Sequence, residues 1–230
     1  KDAIASVLKQ TYPTKCYVVA DGVQAHSRVR IITDDFLERK QLERCFLPLN
    51  VGANGYYGHR VYAAFTHLID TDYVLYLDQD CWLEPDHVEQ CIKTIKENNL
   101  DWSYSLRKIA DSEGNYICND DCESLGKWPS CLGEEDYFVD VGCYFLPKNI
   151  ALQCTPLWYR KAREPGVPEV DRILSLVLRQ NKLTCDTNGL YTLNYRTGNT
   201  ERSVKKEFFL HHNELMKQRY NGTLPWQKTL

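Results

Sequence analysis

One stretch constrains this chain most: the apolar run 73–77 (YVLYL), followed directly by Asp78-Gln79-Asp80. Five apolar or aromatic residues with high strand preference predict a buried strand. The two carboxylates after it are costly to bury without a partner. Because ligands of open α/β sheets bind at the carboxyl ends of strands, we interpret Asp78 and Asp80 as part of a binding site. The predicted ligand is a divalent cation, Mn²⁺ or Mg²⁺, next to a phosphate. The alternative is a solvated turn before a helix.

A second acidic residue ends another apolar run in the same way. The segment 17–20 (YVVA) predicts a strand, and Asp21-Gly22 follows it. If the two strands are parallel neighbours, Asp21 and Asp78 share one sheet edge. A carboxylate there can accept a hydrogen bond from a nucleobase N–H or a ribose hydroxyl. The alternative is a plain Asp-Gly turn.

A glycine-rich segment, NVGANGYYGHR, extends from Asn50 to Arg60. Glycine lets the backbone approach a ligand closely, and an arginine at a helix start can bind a phosphate. The segment has neither the P-loop nor the GxGxxG spacing, and a flexible surface loop is the alternative. Asn50 and Arg60 are therefore candidates for contacts with a nucleotide.

Composition narrows the class of protein. With 230 residues, of which 43% are hydrophobic and 26% charged, the chain suits one soluble globular domain. A net charge of -3 argues against nucleic acid as a partner. No apolar run could span a bilayer and no signal peptide is present, so we predict a cytoplasmic location and leave peripheral membrane association open. The chain opens inside a predicted helix, which suggests that an upstream strand is missing.

The ten cysteines are scattered along the chain, and several lie inside predicted strands and helices. This placement favours small buried thiols over a disulfide framework. Cys118, Cys122 and Cys131 are close enough in sequence to suggest zinc. Their spacing matches no standard finger and a fourth ligand is not evident, so zinc is the minor alternative.

Helical and strand patterns alternate over the first hundred residues, which predicts a doubly wound or related α/β architecture. In that part we predict helices at 2–10, 36–44, 59–69 and 85–98, and strands at 16–20, 28–33, 44–49 and 73–77. In the remainder we predict a strand, turn and return strand at 102–118, a loop at 119–136, strands at 137–147, a helix at 168–182, β structure at 183–196 and a helix at 203–222.

Four of these segments together resemble the nucleotide-binding half of a family 2 glycosyltransferase of GT-A fold. They are, in order, AIASVLKQTYP, YVVADG, NVGANGYYGHR and YVLYLDQD. The resemblance implies a single GT-A-type domain over 1–230, with a central, mostly parallel mixed sheet flanked by helices. Residues 1–100 would form the Rossmann-like half that binds a nucleotide sugar, and residues 101–230 the half that binds the acceptor. The family's opening strand is absent here, and Ala20 replaces one acid of its Asp-Asp-Gly motif.

The resemblance also implies roles in glycan biosynthesis with a nucleotide-diphosphate sugar, by preference a UDP-sugar, as donor. Asp21 would contact the nucleotide base, while Asn50 and Arg60 would lie near the nucleotide or its phosphates. In the Asp-x-Asp motif, Asp78 would lie near the ribose or the metal, and Asp80 would bind Mn²⁺ or Mg²⁺.

The second half would supply the acceptor side and the rest of the metal site. In inverting members a carboxylate that opens a helix serves as general base to a glycan or other hydroxyl acceptor, and here Glu169 and Asp171 are the candidates. Asp171 is preferred because Arg172 follows it. Helix-dipole complementarity explains these acids equally well, and a retaining mechanism stays open. His211 or His212 would complete the metal site.

Two other functions remain open from the sequence. A nucleotidyltransferase also combines an α/β sheet with acid-bound metals, although no basic glycine-rich phosphate loop is present near the N-terminus. A catalytically inactive carbohydrate-binding domain of the same fold is the other alternative.

Overall fold

The first hundred residues alternate helices with short strands, as predicted. The protein is described by a computed structural model that covers residues 1–161, 170–198 and 203–227. Its first elements are α1 (Asp2–Leu8), β1 (Cys16–Asp21), α2 (Val23–Asp34), β2 (Leu42–Leu47), α3 (His59–Leu68), β3 (Tyr73–Val74), β4 (Trp82–Leu83) and α4 (His87–Asn98).

The second half adds further strands and three more helices. The elements are β5 (Trp102–Tyr104), β6 (Leu106–Ala110), β7 (Tyr116–Asn119), a 3₁₀ turn (Val141–Cys143), β8 (Tyr144–Pro147), α5 (Lys148–Trp158), α6 (Val170–Gln180), β9 (Cys185–Asp186), β10 (Tyr191–Arg196) and α7 (Lys206–Arg219). The α/β class, with helices packed against sheets, is confirmed.

The described strands form three sheets, with the orders β1-β2, β4-β10-β6-β7 and β3-β8-β5-β9. Strands β1 and β2, β6 and β10, and β5 and β9 pair in parallel. The other pairs are antiparallel. The pairing is therefore mixed, without the parallel majority that was expected. One reason is the short turn between β6 and β7, since parallel strands need a crossover of about a dozen residues or more.

Two early predictions are wrong. The predicted strand 28–33 belongs to α2, and the predicted helix 36–44 consists of turns that lead into β2. The half-buried and buried positions of α2 have the spacing of one helix face; they are Ala25, His26, Val29, Ile32 and Thr33. The β-branched residues of this segment suggested a strand, but packing of that face against the sheet determined the structure.

Two further strands are shorter than predicted. The run 73–77 is paired only at Tyr73–Val74, opposite Pro147 and Leu146 of β8. The region 137–147 contains a 3₁₀ turn before β8, because the Asp140 carboxylate accepts a hydrogen bond from the Gly142 N–H at 3.0 Å. Asp140 therefore precedes the 3₁₀ turn and is not part of a strand.

One hydrophobic core unites residues from both halves, from Ile4 to Trp226. Its largest fully buried side chains include Trp102, Tyr144 and Trp158. All ten cysteines are free thiols. None of the helices in the described parts of the chain is both long and apolar enough to cross a bilayer.

Candidate active site

Asp78 lies just beyond the run 73–77, next to helix α3, and is exposed. The Tyr62 hydroxyl donates a hydrogen bond to its carboxylate. The side chain keeps contact with water, yet protein atoms surround it, and this restricted hydration raises its pKa to about 6. The negative charges of Asp140 and Asp80 act in the same direction, against the Tyr62 hydrogen bond. Negative charge is thus concentrated where the sequence predicts a cation.

Asp80 completes the Asp-x-Asp pair, and the Cys81 thiol donates a weak hydrogen bond to it at 3.9 Å. Two carboxylates offer the hard oxygen ligands that Mg²⁺ and Mn²⁺ prefer, and such ions commonly share their remaining positions between water and substrate phosphates. The concentrated negative charge and this donor set fit a divalent cation bound together with a phosphate.

His211 and His212 lie on α7. The Nδ1 atom of His212 is 2.8 Å from the Phe208 carbonyl oxygen of the same helix. Over the described ranges, no group of three or more His, Cys, Asp and Glu side chains is placed to hold a metal ion. The metal role of the two histidines therefore stays a prediction.

Asp21 ties the end of β1 to the glycine-rich segment. Its Oδ1 accepts a hydrogen bond from the Val51 N–H at 2.7 Å, and its Oδ2 accepts one from the Gly52 N–H at 2.8 Å. Asn50, directly before this pair, is exposed. The glycine-rich segment is therefore anchored to the carboxyl end of β1. Among the described strands, β1 pairs with β2 and β3 pairs with β8 in a different sheet, so the shared sheet edge expected for Asp21 and Asp78 is not formed by neighbouring strands.

Arg60 is held by aromatic rings at the start of α3. Its guanidinium carbon lies 3.3 Å from the centroid of the Tyr56 ring and 4.9 Å from that of Tyr159. Among the described residues, the buried Arg60 Nε and His59 Nδ1 atoms have no hydrogen-bond partner. Stacking fixes the plane of the guanidinium and leaves a donor available for an anion.

Asp171 lies in the first turn of α6 and is only 8% exposed. Burial raises the pKa of its carboxyl to about 8, and the negative charge of Asp140 adds to this effect. The Arg172 N–H donates to Asp171 Oδ1 at 2.9 Å. The other candidate, Glu169, lies outside the described residues and its role stays a prediction. Asp171 can therefore exchange a proton near neutral pH.

Sequence reasoning missed a buried arginine with three carboxylates, here named the Arg107 network. Arg107 is 2% exposed, and its Nε, Nη2 and Nη1 atoms lie 2.7, 2.6 and 2.5 Å from Asp120, Glu123 and Asp140, respectively. Asp140 was not identified as a candidate because it falls within the predicted strands at 137–147. The available signal was its position within the apolar run Phe138-Val139-Asp140-Val141, since a buried carboxylate needs a partner.

The Arg107 network connects the two groups of candidate residues. Glu123 also bonds Arg172 of α6, at 2.9 Å from Nη2. Asp140 lies close enough to both Asp78 and Asp171 for its charge to raise the pKa of each. Asp140, a member of the Arg107 network, is therefore electrostatically coupled to both the Asp78 carboxyl and the Asp171 carboxyl.

Solved structures of similar fold come from S. aureus TarS. TarS 1–349 in complex with UDP-GlcNAc superposes with a TM-score of 0.63 at 15% identity, covering 94% of this chain and 61% of that one. TarS 1–349 in complex with UDP gives a TM-score of 0.60 at 13% identity, covering 96% and 68%. At these identities the likeness establishes the fold. The chain spans about three-fifths of the length of the UDP-GlcNAc-bound TarS chain.

Sequence comparison establishes the family. No curated protein matches the chain. The model of glycosyl transferase family 2 matches residues 1–121, more than half of the 230 residues. The matched part includes Asp21, the glycine-rich segment and the Asp78–Asp80 pair. The chain therefore belongs to glycosyl transferase family 2.

Proposed function

We propose that this glycosyltransferase moves a sugar from a UDP-sugar to a hydroxyl of a glycan or another acceptor, with a divalent metal and inversion at the anomeric carbon. One observation carries the proposal: Asp140 lies within electrostatic reach of both Asp78 and Asp171. A carboxylate suited to a donor-bound cation and a buried carboxyl suited to proton transfer are thus coupled to the same third carboxylate, which supports a role for both in one reaction.

The donor side of the proposal uses residues 1–100. Asp21 would accept from the base, and Asn50 and Arg60 would contact the nucleotide or its diphosphate. The unpartnered Arg60 Nε supports this role, as does the UDP and UDP-GlcNAc bound by TarS. Asp80 and Asp78 would hold Mn²⁺ or Mg²⁺, which when bound neutralises charge on the leaving diphosphate.

The acceptor side uses residues 101–230, with Asp171 as general base. Its carboxylate takes the proton of the acceptor hydroxyl while that oxygen bonds to the anomeric carbon and the bond to the diphosphate breaks. Attack from the face opposite the diphosphate inverts the configuration. The raised pKa of Asp171, about 8, favours accepting this proton. The acceptor and the cytoplasmic location stay predictions.

Donor binding and turnover test this function together. We expect UDP with Mn²⁺ to raise the thermal unfolding midpoint, because a ligand that binds only the folded state stabilises it. We also expect UDP release from a UDP-sugar with Mn²⁺ and its loss with EDTA. Binding without release or transfer would instead support an inactive carbohydrate-binding domain. The proposal is wrong if, with metal present, the protein neither binds nor hydrolyses UDP-sugars or the sugar nucleotides of the other common bases.

The Gly52→Ala variant tests the glycine-rich segment. A Cβ atom at Gly52 would lie 1.9 Å from the Tyr57 carbonyl oxygen and 2.8 Å from Asp21 Oδ2, so the backbone must shift. We expect UDP affinity to fall by about tenfold, or ~1.4 kcal/mol, in calorimetric titration. Gly133→Ala is the matched control, since the nearest atom to its Cβ lies at 4.0 Å. Equal UDP affinities of the two variants would show that the glycine-rich segment does not contribute to donor binding.

A further inference from the structure

Two cysteines face each other across the loop 122–131. The Cys131 N–H donates to the Cys122 carbonyl oxygen at 2.7 Å. This hydrogen bond brings the two backbones together, and a disulfide spans Cα atoms roughly 4.4–6.8 Å apart. Interaction with the Cys131 side chain is the largest cause of the raised pKa of Cys122, and burial adds to it.

The surroundings of the two thiols differ. Cys122 is fully buried, with its Sγ 3.4 Å from Asp120 Oδ1, whereas Cys131 is partly accessible. Reagents therefore reach Cys131 first. Zinc does not explain the pair, because across the described residues no third ligand joins these thiols in a group able to hold a metal.

We propose that Cys122 and Cys131 form a modification site that a low-molecular-weight disulfide, such as oxidised glutathione, converts into an intrachain disulfide. The Cys131 thiolate attacks one sulfur of the reagent and expels one small thiol. The Cys122 thiolate then attacks Cys131 Sγ in the mixed disulfide and expels the second small thiol. The protein loses two electrons and two protons, and the reagent gains both.

The cross-link would close a loop that carries anchoring residues of the Arg107 network. Glu123 bonds both Arg107 and Arg172, and the Ser124 hydroxyl accepts from the Asp140 N–H at 2.9 Å. Constraining this loop reduces the freedom of the unfolded chain, which raises stability. The inference rests on this geometry alone and is independent of the proposed transfer reaction.

Peptide mapping after oxidation tests the proposal. The protein is incubated with oxidised glutathione, residual thiols are alkylated, and the digest is analysed by mass spectrometry. We expect a Cys122–Cys131 cross-linked peptide and a rise of roughly 5 °C in the thermal unfolding midpoint, reversed by dithiothreitol. Alkylation of both thiols after oxidation, or pairing with another cysteine, would overturn the inference.

Cysteine variants connect the stability gain to this pair. Cys131→Ser is expected to abolish the oxidative rise, and Cys122→Ser to do the same. Cys118→Ser, in the neighbouring strand β7, is the matched control and should retain the full rise. If Cys122→Ser fails to fold, Cys131→Ser and the wild-type peptide map decide the question. A rise that persists in Cys131→Ser contradicts the proposal.

Discussion

Replacing Asp171 by asparagine is expected to lower kcat for sugar transfer by about 10²–10⁴-fold, while UDP affinity stays within about twofold. The carboxamide keeps the size of the side chain but cannot accept the acceptor's proton. The expected loss falls on kcat because Asp171 belongs to α6 and is not among the residues assigned to donor binding.

Steady-state transfer rates and calorimetric UDP titration measure the two effects separately. Asp34→Asn is the matched control, since this exposed carboxylate bonds only Arg44 among the ion pairs of the described residues, and it should keep full activity. An Asp171→Asn enzyme with full activity would remove the base assignment while leaving the donor site intact. Loss of UDP binding would assign Asp171 to donor binding instead.

The raised pKa of Asp171 should make both sugar transfer and stability depend on pH. Because the active carboxylate forms as pH rises through about 8, wild-type kcat/KM should increase about tenfold per pH unit below that value. Ionising this group also opposes folding. Its folded pKa lies above the usual value of 3.8, so its contribution to stability falls as pH rises from about 4 to 8. Urea denaturation at pH 5 and pH 8 should therefore favour the asparagine variant more at pH 8.

Replacing Arg107 by methionine is expected to destabilise the fold by about 3–5 kcal/mol. Three carboxylates, those of Asp120, Glu123 and Asp140, would lose their shared cation, and Asp120 is fully buried. Methionine keeps much of the side-chain volume, so the change isolates charge from packing. The free energy of unfolding from urea titration measures the effect at neutral pH.

The neighbouring residue Lys108 provides the control for Arg107→Met. Its amine is 2.7 Å from Glu84 Oε1, but about a third of each side chain is exposed. Water screens such a pair, and Lys108→Met should cost about 1 kcal/mol or less. If Arg107→Met costs no more than Lys108→Met, the Arg107 network does not stabilise the native state.

Local sequence signals predicted where the carboxylates assigned to the donor lie along the chain. The carboxylates Asp21, Asp78 and Asp80 directly follow apolar runs, and a run that ends in charge is visible without any tertiary information. The position of Asp21 at the carboxyl end of β1 is confirmed. The predicted helices at α3 and α4 also match, because each carries a regular apolar stripe.

The Arg107 network could not be predicted in this way. Arg107 contacts Asp120, Glu123 and Asp140 through turns of irregular backbone, and such contacts leave no periodic pattern in the sequence. Helix α5 was missed because Pro156 lies inside it and the run before it was assigned to strands. These features depend on tertiary packing, which overrides local preference.

The bonds from the Asp21 carboxylate to the Val51 and Gly52 amides have a thermodynamic consequence. They join the glycine-rich segment to strand β1 before any nucleotide arrives. The conformational entropy of ordering that backbone is then lost during folding and not during binding. The proposed donor site is thus preorganised on this side, so more of the contact energy with a nucleotide would be expressed as affinity.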